Sequence, residues 1–296
     1  MRIISFTLLS LTTLATYSAF GFSDDDDITF EDGFYASVAL GANWAIANWD
    51  GTNSTASFYD DNFDKLNLFD VTTPSGDSSD DAKIIGSAGL GYQLVGDLLY
   101  LGAQISGAFS DTRNFNDDEY ASSEAIGFFP FGDAVLTGTN DVQSTVTLGD
   151  SELDLELKPG ILLLDNFLIY ARAGVVFSEL KINSTGEWSQ ITEVEGFDPV
   201  ELATSASTSN NESVVGFRVG VGLEYLFTEH LGVSLDYIFT DYGDVSTVTE
   251  GKITGDPADS PLPPPIADLN HIHGLYAPEV SVTTHAVMAG LVYHFD

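Results

Sequence analysis

The stretch FRVGVGLEYLF, Phe217 to Phe227, decides the fold because apolar residues occupy every second position along it. Arg218 and Glu224 lie among the residues between them. A period of two indicates a β-strand whose two faces differ in chemistry. A water-soluble sheet would bury the apolar face, whereas a sheet that spans a bilayer would turn the apolar face outward.

Composition narrows the choice of function. The chain has 296 residues with 9 Lys plus Arg against 45 Asp plus Glu, a formal net charge of -36. So acidic a protein repels polyanions, which excludes nucleic acid as a partner. The chain contains no cysteine, so disulfides and thiolate-bound metals are excluded as well.

The N-terminus predicts export. Arg2 precedes the apolar run IISFTLLSLTTLA, and Ala19 and Gly21 are small residues placed for cleavage after Gly21. We therefore predict a signal peptide at 1–21, an acidic N-terminal segment at 22–32 and one domain at 33–296. No later run reaches the ~18 apolar residues that a transmembrane helix needs, so the exported chain either dissolves or enters a membrane as strands.

Alternating segments predict eight strands: 33–46, 82–94, 98–110, 145–164, 167–181, 213–227, 231–242 and 282–295. Short turns (VGD, LDN, TEH) alternate strictly with four long connections: 47–81, 111–144, 182–212 and 243–281. Four structureless loops above ~15 residues are rare in soluble domains but usual in outer-membrane barrels. We predict an all-β fold, an eight-stranded antiparallel up-and-down transmembrane β-barrel with four long external loops. The even strand number places both termini on the periplasmic side.

Aromatic residues bracket the apolar faces. In three strands two aromatic residues lie ten positions apart, which spans about 33 Å along a strand and roughly 25 Å when the strand is tilted. This matches the lipid-facing band of a barrel. The predicted aromatic girdle contains Phe34, Trp44, Phe167, Phe177, Phe217, Tyr225, Phe227, Tyr293 and Phe295.

The opposite faces carry charges of both signs. The interior of an eight-stranded barrel just holds its own side chains, and a buried charge without a partner is costly. We therefore expect a charge network that plugs the lumen, with the apolar faces turned to lipid. A soluble lipocalin-like barrel, with the faces reversed, is the alternative fold. The predicted network contains Lys83, Glu152, Asp154, Glu156, Lys158, Arg172, Arg218, Glu224 and Asp236.

Two segments resemble a known family. The closing stretch MAGLVYHFD resembles the C-terminal insertion signal of bacterial outer-membrane barrels through Gly290, Tyr293 and Phe295, although Asp296 follows the final aromatic residue. VGLEYLFTEHLGVSLDYIFTDYGDV, Val221 to Val245, resembles the penultimate hairpin of the opacity/OmpA-type small barrels. This resemblance implies eight strands, a plugged polar lumen, variable surface loops and handling by the barrel-insertion machinery.

The expected function is structural or interactive: adhesion, host or immune contact, or envelope integrity. Expected partners are outer-membrane lipid and lipopolysaccharide, a host or matrix partner on the loops, and divalent cations at clustered carboxylates. The chain is expected to be a monomer. An apolar segment in the second long connection, with Phe128, Phe129 and Phe131, is a candidate partner patch.

Other functions have weaker support. A small cation-preferring porin is the main alternative. An enzyme is less favoured, because His285, Asp241 and Asp244 are predicted near one another but no nucleophile accompanies them. No catalytic residue and no cofactor are predicted. His271 and His273 are weak metal-ligand candidates, because no third ligand is evident beside them.

Overall fold

The computed structural model describes residues 28–49, 53–60, 63–72, 76–79, 82–129, 132–196, 198–254 and 271–295. Within these ranges the regular elements are β-strands, and none of the described segments is a helix able to span a membrane. The strands are β1 Gly33–Trp49, β2 Asn53–Asp60, β3 Phe63–Thr72, β4 Gly76–Ser79, β5 Lys83–Val95, β6 Leu99–Ser110, β7 Arg113–Phe129, β8 Gly132–Leu148, β9 Ser151–Leu164, β10 Phe167–Val194, β11 Val200–Leu226, β12 Leu231–Ser246, β13 Thr249–Thr254, β14 His271–Ala277 and β15 Glu279–His294.

Eight of these strands pair in a closed cycle, and every pairing is antiparallel. The order is β1, β5, β6, β9, β10, β11, β12, β15 and back to β1. The all-β antiparallel prediction is therefore confirmed. One end of the cycle carries the three short turns, here the turn end, and the other carries the long connections, here the hairpin end.

The predicted strand 145–164 is wrong as a single element. β8 ends at Leu148 and β9 begins at Ser151. At the break, the Gly149 amide donates to Glu179 O (2.8 Å) and the Ser110 amide donates to Asp150 O (2.9 Å). Beyond the break β8 replaces β9 as the partner of β10, so hydrogen bonding continues although the strand is interrupted.

The prediction of long loops is also wrong, because strands occupy most of these connections. β10 has 28 residues and β11 has 27, and at ~3.3 Å per residue such strands reach roughly 90 Å, far more than a bilayer needs. β7 and β8 extend beside β10, while β13, β14, β2 and β3 form a separate four-stranded sheet. Their Ser, Thr and Asn residues give weak alternation, so pairing with neighbours rather than hydrophobic pattern makes them strands.

The chemistry of the two faces exchanges along β10. From Phe167 to Phe177 the outward side chains are apolar, and the next two outward residues are Glu179 and Lys181. The inward side holds Arg172 in the first part and Leu180 and Ile182 in the second, all buried. The same alternation therefore describes an apolar-outside barrel at the turn end and an apolar-inside extension at the hairpin end.

Trp188 of β10 holds the extension together. It is buried, and its ring lies against Gly274 of β14 and Gly251 of β13. A Cβ atom at Gly251 would lie 2.8 Å from Trp188 Cζ3, and a Cβ at Gly274 would overlap the ring. The four-stranded sheet thus approaches β10 through positions that have no side chain.

Candidate functional site

The centre of the closed cycle contains a buried arginine between two carboxylates. Arg172 Nε donates to Glu156 Oε2 (3.1 Å), and Arg172 Nη1 pairs with Asp236 Oδ1 (3.0 Å). The Tyr170 hydroxyl donates to the same Asp236 oxygen (2.7 Å). Hydrogen bonds between a charged arginine and a carboxylate are stronger than those between neutral groups, and here one arginine binds two carboxylates.

A second arginine forms the layer nearer the hairpin end. Arg218 Nη1 pairs with Asp154 Oδ2 (2.6 Å), Nη2 pairs with Glu152, and Nε donates to Thr240 Oγ1 (2.8 Å). The Tyr242 hydroxyl also donates to Glu152. The two arginines together bind four of the five predicted lumen carboxylates.

Lys158 differs from the arginines because, among the described residues, its ammonium forms no ion pair within 4 Å. Its Nζ lies 5.4 Å from the ring centroid of Tyr35 and 5.2 Å from that of Tyr170. Such cation–π contacts stabilise a desolvated ammonium. The two tyrosines fill the bore beside it.

Histidine and the N-terminal segment close the turn end. His294 Nε2 lies 2.8 Å from Glu224 Oε1, while the Gln93 side-chain nitrogen lies 3.0 Å from His294 Nδ1. With the amide donating to Nδ1, the ring proton on Nε2 faces the carboxylate. Phe30 packs edge-on against His294 (5.7 Å) and Tyr100 (6.2 Å), so the chain before β1 covers this layer.

An apolar cluster closes the hairpin end of the interior. A cavity of about 30 Å³, with room for one or two water molecules, lies within the charged layers and is lined by residues that include Gln104, Asp154 and Lys158. The interior is thus filled by side chains in successive layers. The cluster contains Ala45, Ala47, Trp49, Phe115, Val146, Leu148, Val176, Leu180, Ile182, Val214, Tyr242, Val245, Val280 and Val282.

The other predicted residues occupy varied positions. Lys83 lies apart from the network at the hairpin end of β5, where its ammonium donates to Thr112 O (2.7 Å). Lys83 begins a strand, and the alternation of side chains shows which face a residue occupies but not its height along the barrel. All nine girdle residues lie on the outward face and are exposed or partly exposed, with close ring pairs such as Tyr293 and Phe295 at 5.0 Å.

The candidates in the long connections are only partly described. Phe128 and Phe129 end β7 opposite Asp133 and Gly132, and Phe131 lies outside the described residues. His271 and His273 lie in β14, whereas the proline run predicted a loop. Among the described residues, no three His, Asp or Glu side chains are placed to hold a metal ion.

His294, Tyr242 and Arg113 are buried residues that were not predicted to lie in the lumen. All three point inward, and Arg113 donates to the backbone oxygen of Asn43 (2.9 Å) as well as to its side chain. The alternation of inward and outward residues predicts an inward His294, because it lies two positions after the buried Val292. Arg113 was assigned to a loop and could not have been found in this way.

The closed antiparallel cycle with an apolar exterior defines the class of protein, and comparison with known proteins gives the family. The profile of the outer membrane protein beta-barrel domain matches residues 5–295. The chain belongs to this family, which confirms the resemblance to small outer-membrane barrels and supports location in the bacterial outer membrane. No curated protein matches the chain.

Solved structures of similar fold are distant in sequence. OmpT, an outer membrane protease of Escherichia coli, is 11% identical with a TM-score of 0.38, over 91% of this chain and 100% of that chain. Ail, the attachment invasion locus protein of Yersinia pestis, is 12% identical with a TM-score of 0.29, over 90% and 100%. OprG of Pseudomonas aeruginosa is 13% identical with a TM-score of 0.31, over 91% and 100%.

Proposed function

We propose that this protein is a non-conducting, non-enzymatic surface protein of the outer membrane that acts through its hairpin end. The eight strands of the closed cycle span the bilayer as a monomeric barrel. The hairpin end is extracellular, and both termini are periplasmic. Its role is contact with a host or matrix partner and support of the envelope.

The filled interior is the observation that carries the proposal. Side chains of Phe30, Tyr100 and Tyr170 occupy the turn end, paired arginines the centre and an apolar cluster the hairpin end. An ion would have to displace paired charges and then cross an apolar layer, both of which are expensive. This disfavours the small cation-preferring channel.

The extension at the hairpin end supports a role in contact with a host or matrix partner. β10 and β11 continue past the apolar band as a paired hairpin up to Thr192 and Val200. The structure thus offers ordered sheet surface rather than loose chain, and ordered surface loses less entropy when it binds. A catalytic role has less support, because His285 stacks on Trp44 and its Nδ1 lies 2.8 Å from the Tyr237 hydroxyl.

We expect purified, folded protein to produce no steady conductance steps in planar bilayers at high salt. An ion would have to pass the successive layers of side chains that fill the bore. Insertion is verified beforehand by the mobility difference between boiled and unboiled samples. Regular cation-selective steps from correctly folded protein would instead support the channel.

Contact through the tip of the β7–β8 hairpin is tested in cells that display the protein. The double change Phe129→Ser and Phe131→Ser is expected to lower adhesion to host matrix several-fold, because aromatic anchors dominate interface energies. Ile191→Ser, at an exposed apolar residue of another hairpin, is the matched control and should leave adhesion unchanged. Equal adhesion of all three proteins at equal surface level would remove the aromatic tip as the contact site.

A further inference from the structure

A histidine is fixed among aromatic rings on the outward face of the barrel. His285 of β15 pairs directly with Trp44 of β1 and Phe239 of β12. Its ring stacks on Trp44 (5.6 Å, 9° between planes) and lies 5.2 Å from Phe239. The Tyr237 hydroxyl lies 2.8 Å from His285 Nδ1. We call Trp44, Tyr237, Phe239 and His285 the His285 platform.

The platform leaves a polar atom of His285 available for a ligand. When the Tyr237 phenol donates to Nδ1, the proton of the imidazole lies on Nε2, which becomes a donor. Within the described part of the chain Nε2 has no hydrogen-bond partner. The indole N–H of Trp44 is a second donor in the stack. A donor on a partly exposed side chain of the outward, apolar face, at the level of the aromatic girdle, suits an anionic group of a lipid headgroup.

A shallow, open apolar groove of about 620 Å³ lies on the turn-end side of the platform, on the platform's three strands and the adjacent β5 and β6. Small residues, Ala88, Ala289 and Gly290, line it between larger ones such as Leu40, Leu291 and Phe109. Ala289 lies four residues after His285 on β15, which is about 13 Å along the strand toward the turn end. Ala42 and Val287, a directly paired couple, connect the groove to the platform.

We propose that the groove and the His285 platform form a binding site for lipopolysaccharide, with an acyl chain in the groove and a lipid A phosphate on His285 Nε2–H. The proposal rests on the proposed function, in which the hairpin end is extracellular and the platform therefore lies at the level of the outer leaflet. The net charge of -36 gives no general attraction for phosphate, so local donors must supply the recognition. Asp241 lies two residues after Phe239 on β12, and its Oδ1 accepts a hydrogen bond from the Gly243 amide (2.8 Å).

The test measures lipid retention by native mass spectrometry of delipidated protein in mild detergent. The probes are bisphosphorylated lipid A and the same lipid A after dephosphorylation. His285→Phe keeps the ring stack and removes the donor, and we expect it to reduce binding of the phosphorylated probe about tenfold while leaving the dephosphorylated probe unchanged. The control His230→Phe, beside Tyr293 at the turn end, should bind both probes as wild type does.

A second pair of variants tests the groove. Ala289→Phe fills it and should weaken both probes, whereas Ala173→Phe, in a separate groove on the outward face, should not. Unchanged binding of phosphorylated lipid A by His285→Phe, or an equal loss of both probes, overturns the phosphate assignment. These outcomes are distinct from failure of the proposed function, because conductance and adhesion do not depend on which lipid is retained.

Discussion

Arg172→Met is expected to lower the free energy of unfolding by about 3–5 kcal/mol, because it leaves Glu156 and Asp236 buried without their shared cation. Methionine fills much of the same volume, so the loss reports charge pairing more than packing. The measurement is the denaturant midpoint in lipid vesicles, followed by fluorescence and by the mobility of unboiled samples. This change removes the partner of two carboxylates at once, hence the large effect.

Two further variants separate pairing from other causes. Lys181→Met, on the same strand but exposed, should change stability by no more than about 0.5 kcal/mol. The triple variant Arg172→Met, Glu156→Gln, Asp236→Asn should recover more than half of the loss, because neither former carboxylate then carries a buried charge without its arginine. If Arg172→Met unfolds at the wild-type midpoint, the ion pairs do not stabilise the barrel.

Gly274→Ala is expected to detach the four-stranded sheet from β10 while leaving the membrane barrel folded. The new methyl group would overlap the indole of Trp188, which is buried and closely packed on this side. Overpacking of this kind costs about 1–3 kcal/mol, and here it falls on one local contact surface. Limited proteolysis of β13 and β14 should become faster by about tenfold or more, with unchanged mobility of the barrel in unboiled gels.

The matched control is Gly107→Ala, where the nearest atom to the new Cβ would be Glu152 O at 3.8 Å, an ordinary contact. It should retain wild-type protease resistance. Adding Trp188→Leu to Gly274→Ala makes room for the methyl group and should restore part of the protection. Wild-type resistance in Gly274→Ala alone would show that Trp188 does not hold the two sheets together.

Much of the barrel could be predicted from the sequence because alternation is a local property. The first strand, expected at 33–46, is Gly33–Trp49, and the turn expected at VGD lies between Val95 and Leu99. Parity also separated inward Arg218 from outward Phe217. These features depend only on residues that are adjacent along the chain, so a single sequence is sufficient to predict them.

The extension at the hairpin end could not be predicted in the same way. Residues such as Asn183, Thr185 and Ser189 alternate with few apolar neighbours, so the pattern resembled a loop. They are strands because each backbone group finds a partner on β8 or β11, at a long distance along the chain. Pairing of this kind depends on register across the sheet, which no local pattern contains.

For the ion pairs, too, the sequence predicted the face on which each charge lies but not its partner. The sequence by itself determined that the strands alternate, which faces are apolar, where the short turns lie and that inward charges of both signs need partners. Only the tertiary structure decided that Arg172 meets Glu156 and Asp236, that Lys158 lies between tyrosine rings, and that the interior turns apolar beyond Arg218. The physical reason is that side-chain direction is set within each strand, whereas partners are set by the stagger between strands as the sheet closes.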